Sequence, residues 1–117
     1  MPVIEITTKQ EFYDHLEKSN NNFLLVDFYA QWCGPCKKIA PVLHNMSDKY
    51  TTVTFLKVDI DAVPELKDDF SISAMPTFML FAKGNSKPQT TIVGANAMKI
   101  EYAIRMALGD DKPQEDF

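Results

Sequence analysis

Two cysteines separated by two residues are the part of this sequence best suited to chemistry. Cys33 and Cys36 lie in the segment Trp-Cys-Gly-Pro-Cys, and the 117-residue chain contains no other cysteine. Cysteines at positions i and i+3 can form a disulfide within one helical turn, and a thiolate is the attacking species in disulfide exchange. The spacing therefore predicts a dithiol–disulfide redox centre.

The residues around the two cysteines favour this interpretation. A short apolar run, residues 23–30, leads into the motif, and a proline-containing helical stretch follows it. We expect Cys33 at the N-cap of that helix, where unpaired backbone N–H groups and the positive end of the helix dipole stabilise a thiolate. Cys33 is therefore expected to attack. Cys36, one turn further in, is expected to be less exposed and to resolve the mixed disulfide.

A metal site or an inert disulfide would also place two cysteines at this spacing. As a zinc site the motif lacks two ligands, since His15 and His44 stand at no regular spacing from it. An inert disulfide is uncommon in a chain with no further cysteines in a reducing compartment. The motif alone leaves both alternatives open and favours redox activity.

Composition and charge exclude several classes of function. The chain has a formal net charge of −4, whereas proteins that bind nucleic acid or anionic membranes need positive patches. The best basic cluster, Lys37-Lys38, is too short to supply one. Residues 1–10 lack the basic start and apolar core of a secretory signal, and no apolar stretch is long enough to span a membrane. We therefore expect a cytoplasmic protein that could also enter the nucleus.

The hydrophobic pattern predicts nine elements in the order β-α-β-α-β-α-β-β-α. The expected strands cover residues 3–6, 23–29, 53–59, 76–82 and 90–93. The first expected helix begins at a capping box that starts at Thr8 and ends at residues 20–22. The other expected helices cover residues 34–50, 61–70 and 96–108. Asp61 is expected to cap the third helix, and Val42 to point inward from the second.

This order predicts an α/β fold with one central mixed sheet. Strands that alternate with helices pair in parallel through right-handed crossovers, and the late hairpin adds antiparallel strands. The result is a five-stranded sheet with four flanking helices on its two faces. Residues 1–109 are expected to form a single domain, and residues 110–117 an acidic, frayed tail.

The segment around the cysteines resembles the active site of the thioredoxin family. That similarity covers residues 28–37 with Ala40-Pro41, and further matches follow in the family's order at residues 26–28, 57–59, 74–77, Gly84 and 93–95. The resemblance spans residues 3–108. It implies the thioredoxin fold and protein-disulfide reductase activity that maintains cell redox homeostasis. It also implies disulfide-containing protein targets, re-reduction by an NADPH-dependent thioredoxin reductase, and no bound cofactor or metal; a monomer or weak dimer is expected.

Asp27 is a charged residue in the middle of an apolar strand, where burial of a charge is costly. It could lie at the rim of the fold, or be neutralised by Lys57 on a neighbouring strand. Alternatively, a buried carboxyl group has a raised pKa and can exchange a proton near neutral pH. The resemblance places Asp27 beneath Cys36 with Lys57 beside it, which favours a proton-transfer role.

The resemblance also implies a docking surface for target proteins. It implies a cis bond between Met75 and Pro76, with Pro76 packed against the cysteines and the Met75 backbone free to pair with an extended peptide. A flat apolar patch for protein disulfides is expected around Cys33, formed by Trp32, Gly34, Pro35, Met75, Gly94 and Ala95.

Two rival functions compete with a reductase. A disulfide isomerase or oxidase would favour a histidine where this chain has Pro35, since a histidine further stabilises the thiolate and makes the dithiol more oxidising. A binding module whose cysteines only sense redox state would not require Asp27 or the Met75-Pro76 step. Because all of these residues are present, the sequence favours catalysis.

Overall fold

The described part of the computed structural model, residues 2–18, 22–82 and 84–109, contains five strands and four helices in the predicted order. The elements are β1 (Ile4–Ile6), α1 (Lys9–Lys18), β2 (Phe23–Tyr29), α2 (Gly34–Lys49), β3 (Val53–Asp59), α3 (Pro64–Asp69), β4 (Thr77–Ala82), β5 (Thr90–Val93) and α4 (Ala97–Ala107). The predicted acidic tail, residues 110–117, lies outside the described residues, as do Lys83 and part of the segment expected to end the first helix.

The strands form one mixed sheet in the order β1-β3-β2-β4-β5. Strands β1, β3 and β2 are parallel, whereas β4 is antiparallel to both β2 and β5. The central strand β2 is flanked on both sides, and its five inner residues are all buried. This agrees with the near absence of polar alternation in its sequence, which is typical of a strand covered on both faces.

Two apolar clusters cover the two faces of the sheet. One contains the buried residues of α1 and α3 together with both cysteines, and the other contains Ile39, Leu43 and Met46 of α2 and the buried residues of α4. Side chains alternate between the faces along a strand, so Leu24 and Val26 of β2 enter the first cluster while Leu25 enters the second. Asp27 shares the face of Leu25, which α2 covers. The predicted five-stranded sheet with helices on both faces is therefore confirmed.

The start of α3 differs from the prediction. The helix begins at Pro64 with Val63 as its N-cap, and Asp61 makes no capping hydrogen bond to it. Instead, the backbone N–H groups of Ala62 and Val63 donate to the carbonyl of Asp59, at 3.0 and 2.9 Å. This turn binds the chain to the end of β3, so the helix cannot start before Pro64, a residue suited to a first helical turn.

The expectation that Val42 points inward is also wrong. Val42 is 37% exposed, whereas Ile39, Leu43 and Met46 on the same helix are buried. Positions 39, 43 and 46 follow the three- and four-residue spacing of one helix face, and position 42 lies at the edge of that face. The last helix agrees with expectation, because the Asn96 side chain caps it and it ends before Gly109. None of the helices described is long and apolar enough to cross a membrane.

Candidate active site

The two cysteines lie at the N-terminus of α2 and form a disulfide. Cys33 is the N-cap residue, and its Sγ accepts a hydrogen bond from the backbone N–H of Cys36 at 3.2 Å. Gly34 and Pro35 form the start of the helix, where the missing N–H of proline leaves no helical hydrogen bond unmade. The predicted N-cap position of Cys33 is confirmed, and it places this sulfur against the amide-rich end of a 16-residue helix.

The two cysteines are equally buried, each with 4% of its surface exposed. The expectation that Cys36 is less exposed than Cys33 is therefore wrong for the disulfide form. In this form Sγ of Cys33 is bonded to Sγ of Cys36 and accepts the Cys36 N–H, so it lies against the first helical turn.

The metal alternative finds no ligand set in the described part of the chain. No group of three or more His, Cys, Asp or Glu side chains is placed there to hold a metal ion. His15 lies on α1 and His44 on α2, two helices on opposite faces of the sheet. Neither histidine forms a three-ligand group with the cysteines among the described residues.

Trp32 stands beside the disulfide as an exposed aromatic residue, with 67% of its surface accessible. Its indole Nε1–H donates a hydrogen bond to Oδ2 of Asp61 at 3.0 Å. The backbone N–H of Asp61 in turn donates to Oδ1 of Asp59 at 2.9 Å. Sequence reasoning missed this contact because it assigned Asp61 to a helix cap. The signal available was that β2 and β3 are expected to be parallel, which brings the residues after them to one edge of the sheet.

The Met75–Pro76 peptide bond is cis, as the resemblance implied. Met75 is half-buried and packs against the apolar cluster that contains both cysteines. The Pro76 carbonyl accepts a hydrogen bond from the backbone N–H of Gly94 at 2.8 Å. Gly94 has φ of +103°, a conformation that favours glycine. The segment before β4 and the segment after β5 are therefore tied together.

Part of the expected docking patch lines one cavity. Gly34 and Pro35 of α2 and Ala95 of the segment before α4 surround an open cavity of about 360 Å³, together with Lys38 and Val42. Trp32 and Met75 are not among the residues that line it. The structure thus brings three members of the expected patch together at one cavity.

Asp27 lies in the middle of β2, 6% exposed, with Lys57 beside it on β3 and Phe78 beside it on β4. Its Oδ1 atom is buried and has no hydrogen-bond partner among the described residues. Burial raises the pKa of this carboxyl group to about 7, opposed by the positive charge of Lys57 and assisted by the negative charge of Glu5. A carboxyl group with such a pKa can exchange a proton near neutral pH.

Asp27, Lys57 and Cys36 line a single cavity of about 280 Å³. Glu5 and Tyr29, which sequence reasoning did not include in the site, line the same cavity. Lys57 Nζ lies 3.5 Å from Oε1 of Glu5, so its ion pair is formed with Glu5. Glu5 could have been found from the register of the short first strand, which places it opposite Lys57.

Comparison with known proteins identifies the family. The thioredoxin family model matches residues 3–106 of this chain. The chain belongs to the thioredoxin family. It is 40% identical to thioredoxin 1 of Plasmodium falciparum over 87% of this chain and 95% of that protein. It is 41% identical to thioredoxin-2 of Pyricularia oryzae over 89% of this chain, but it spans only 58% of that longer protein. Mitochondrial thioredoxin 3 of Saccharomyces cerevisiae, solved in the oxidised form, has a TM-score of 0.80 at 35% identity, covering 89% and 94% of the two chains.

Family membership gives the Cys33–Cys36 pair its function. A thioredoxin is a thiol–disulfide oxidoreductase, and this pair is its redox-active disulfide. Thioredoxins as a family work with a reductase and with disulfide-bearing targets. The relatives include a mitochondrial form, so membership of the thioredoxin family does not by itself assign a compartment.

Proposed function

We propose that this thioredoxin reduces disulfides of protein targets by two successive exchange reactions. The Cys33 thiolate attacks one sulfur of the target disulfide, forming a mixed disulfide and releasing the other target sulfur as a thiolate. The Cys36 thiolate then attacks Sγ of Cys33, which closes the intramolecular disulfide and releases the first target sulfur. The target gains two electrons, and the cysteine pair loses two. The observation that carries this proposal is the position of the Cys33 Sγ at the N-terminus of α2, held by the Cys36 N–H.

We further propose that Asp27 accepts the proton of the Cys36 thiol when Cys36 attacks. A thiol with an ordinary pKa is mostly protonated at neutral pH and must lose its proton to become a nucleophile. The cavity shared by Asp27 and Cys36 supports this role, because both side chains line the same space. Lys57 lines the same cavity and opposes protonation of Asp27 through its charge.

The surface that receives the target is proposed to consist of Trp32, Gly34, Pro35, Met75, Pro76, Gly94 and Ala95. These residues are small, apolar or aromatic, and they come from three segments of the chain, one of which contains Cys33. Such a surface suits extended peptide of varied sequence more than a single small molecule. The Met75 backbone, next to the cis bond, is proposed to pair with the backbone of the target.

The same surface is proposed to receive an NADPH-dependent flavoprotein thioredoxin reductase, which returns two electrons to the cysteine pair. No bound cofactor is required on this chain, since both reactions are thiol–disulfide exchange. We propose that residues 1–109 act as one domain, as a monomer or a weak dimer.

The cytoplasm, with entry into the nucleus, is the proposed location. The support comes from cysteine content: both cysteines belong to the redox pair, which leaves none for the structural disulfides common in secreted proteins. Fractionation of cells that express the tagged chain tests this directly. Enrichment in mitochondria would contradict it.

Reduction of insulin disulfides, coupled to NADPH and a thioredoxin reductase, tests the proposed activity. We expect NADPH oxidation that depends on insulin, and none with Cys33→Ser. Absence of turnover with thiols shown to be free would favour a binding module instead. Cys36→Ser extends the test, because it is expected to hold targets covalently on Cys33.

A further inference from the structure

Three charged side chains form a row across the parallel part of the sheet. The register places Glu5 of β1 beside Lys57 of β3, and Lys57 beside Asp27 of β2. Neighbouring residues at the same level of a sheet have side chains on the same face and within reach of one another. Lys57 therefore lies between two carboxyl groups and can pair with either.

The two ends of this row are different environments. The Glu5 and Lys57 side chains are 39% and 41% exposed, whereas the Asp27 residue is 6% exposed. An ammonium group that moves from the exposed end to the buried end gives up hydration, and this opposes pairing with Asp27. In the structure the ammonium pairs with Glu5, and Asp27 Oδ1 has no partner among the described residues.

Tyr29 fixes the exposed end. Its hydroxyl donates to Glu5 and lies 2.9 Å from each of the two carboxylate oxygens. The Lys57 ammonium lies 5.7 Å from the centre of the Tyr29 ring, within range of a cation–π interaction. Glu5, on the far side of Lys57 from Asp27, and Tyr29, further along the strand of Asp27, thus provide two attractive contacts that hold the ammonium away from the Asp27 carboxyl group.

We propose that Glu5 and Tyr29 are positioning residues, which hold the Lys57 ammonium at the exposed end of the row and so leave the Asp27 carboxyl group without a counterion. This inference rests on the proposed role of Asp27 as the proton acceptor of Cys36. Asp27 paired with an ammonium group would be a weaker base. Glu5 and Tyr29 thus adjust the basicity of Asp27 through the position of Lys57.

The charged and titratable groups that face Asp27 come from four elements. They are Glu5 of β1, Lys57 of β3, Tyr29 of its own strand, and Cys36, Lys37 and His44 of α2, while β4 presents the apolar Phe78. Among these, Lys57 lowers and Glu5 raises the pKa of Asp27, in addition to the larger effect of burial. Loss of Glu5 therefore acts twice in the same direction, by removing a negative charge and by releasing Lys57 toward Asp27.

Titration of the Asp27 carboxyl carbon by NMR in the oxidised protein tests the inference without any assay of activity. In Glu5→Gln we expect the pKa of Asp27 to fall by about one unit, the lower end of the effect of a nearby opposite charge. Tyr29→Phe should lower it less, because Glu5 keeps its charge. Glu17→Gln removes the same charge from an exposed position near the end of α1 and should leave the titration unchanged.

A double-variant cycle shows whether Glu5 acts through Lys57. Lys57→Met alone should raise the pKa of Asp27, since the opposing positive charge is lost. If Glu5 acts through Lys57, Glu5→Gln should lower the pKa of Asp27 in the Lys57→Met background by less than half as much as it does in the parent protein. The inference is overturned if Glu5→Gln lowers the pKa of Asp27 equally in the parent and in Lys57→Met, or lowers it in neither.

Kinetics separate failure of this inference from failure of the proposed function. The rate of mixed-disulfide resolution, measured by rapid mixing across pH 5 to 9, should have a midpoint that shifts downward with the Asp27 pKa in Glu5→Gln. A fall in the Asp27 pKa with an unchanged kinetic midpoint would support the positioning role and contradict the role of Asp27 in resolution. An unchanged Asp27 pKa contradicts the positioning role whatever the kinetics show.

Discussion

Asp27 and Asp59 are two buried aspartates on neighbouring strands, and they contrast sharply. Asp27 is 6% exposed and Asp59 is 8% exposed. Asp59 ends β3, where Oδ1 accepts the N–H of Asp61 at 2.9 Å and Oδ2 accepts the Gln31 amide at 3.3 Å. Asp27 lies in mid-strand, and its Oδ1 has no hydrogen-bond partner among residues 2–18, 22–82 and 84–109. Burial alone therefore does not decide what a carboxyl group does; its hydrogen-bond partners do.

The two aspartates have contacts with different parts of the candidate active site. Asp27 lines the cavity that reaches Cys36, and its Oδ1 has no hydrogen-bond partner within the described part of the chain. Asp59 fixes the turn that carries Asp61, and Asp61 accepts the Trp32 indole N–H. The proposed role of Asp27 is therefore chemical, whereas the contacts of Asp59 are structural. Substitution of each should affect a different measurement.

The largest expected effect is a pH-dependent gain in stability in Asp27→Asn. The folded pKa of Asp27 is raised to about 7, whereas an unfolded aspartate titrates near 3.9. Both states are protonated below pH 4, so Asp27 then carries no penalty. As the pH rises to 7 the unfolded state ionises first, and stability is lost by up to about 4 kcal/mol. Asp27→Asn should recover most of this at pH 8 and little at pH 4.

Urea unfolding of the oxidised proteins at pH 4 and pH 8 measures this gain. The matched variant Asp59→Asn should show no gain at either pH, because its carboxyl group is hydrogen-bonded. An equal change in the free energy of unfolding at both pH values for Asp27→Asn would contradict the raised pKa.

The second effect is kinetic and also concerns Asp27. Loss of a general base slows a proton-transfer step by about 100-fold or more. Asp27→Asn should therefore slow resolution of the mixed disulfide about 100-fold at pH 7, while formation of the mixed disulfide changes by no more than about threefold. Rapid mixing with acid quench separates the two steps.

Asp68→Asn, on the exposed face of α3, is the control for the loss of one carboxylate and should leave both rates unchanged. If Asp27→Asn slows formation and resolution equally, Asp27 does not act as the proton acceptor of Cys36.

The contrast between these aspartates marks the limit of prediction from sequence. The order of the elements, the mixed sheet and the N-cap position of Cys33 followed from periodicity and from helix-start signals. Asp27 stood out because a charge interrupts an apolar strand. The cis bond before Pro76 followed only from resemblance, since no local pattern favours it.

The remaining features depend on contacts between distant segments. Glu5 and Lys57 are 52 positions apart by their numbers, and only the strand register makes them neighbours. Asp61 follows a strand, and the sequence alone did not show that the turn bound to Asp59 would delay α3 and direct this side chain to Trp32. Side-chain partners of this kind are decided by tertiary packing, which outweighs local propensity.

The third effect is a loss of stability expected when Asp59 is replaced, in contrast to the gain expected for Asp27→Asn. Asp59→Ala removes the acceptor of the Asp61 N–H and of the Gln31 amide, and it should lower the free energy of unfolding by about 1 to 2 kcal/mol. Thermal unfolding of the oxidised variant at pH 7 measures the loss. Resolution of the mixed disulfide should stay within about threefold of the parent, far from the 100-fold slowing expected for a lost general base. Unchanged stability, or slow resolution as in Asp27→Asn, would remove the contrast between the two residues.

The smallest effect concerns the contact between Asp61 and Trp32. Asp61→Ala removes the acceptor of the indole N–H, whereas Asp61→Asn keeps a side-chain oxygen in the same place. An exposed hydrogen bond contributes about 0.5 kcal/mol, so the Ala variant should form the mixed disulfide about twofold more slowly and the Asn variant at the parent rate. Trp32 is the only tryptophan in the chain, so its fluorescence anisotropy reports the freedom of this ring without interference. The anisotropy should fall in Asp61→Ala and in Asp59→Ala, and stay unchanged in Asp27→Asn. A fall in Asp61→Ala alone would show that Asp59 does not position Trp32.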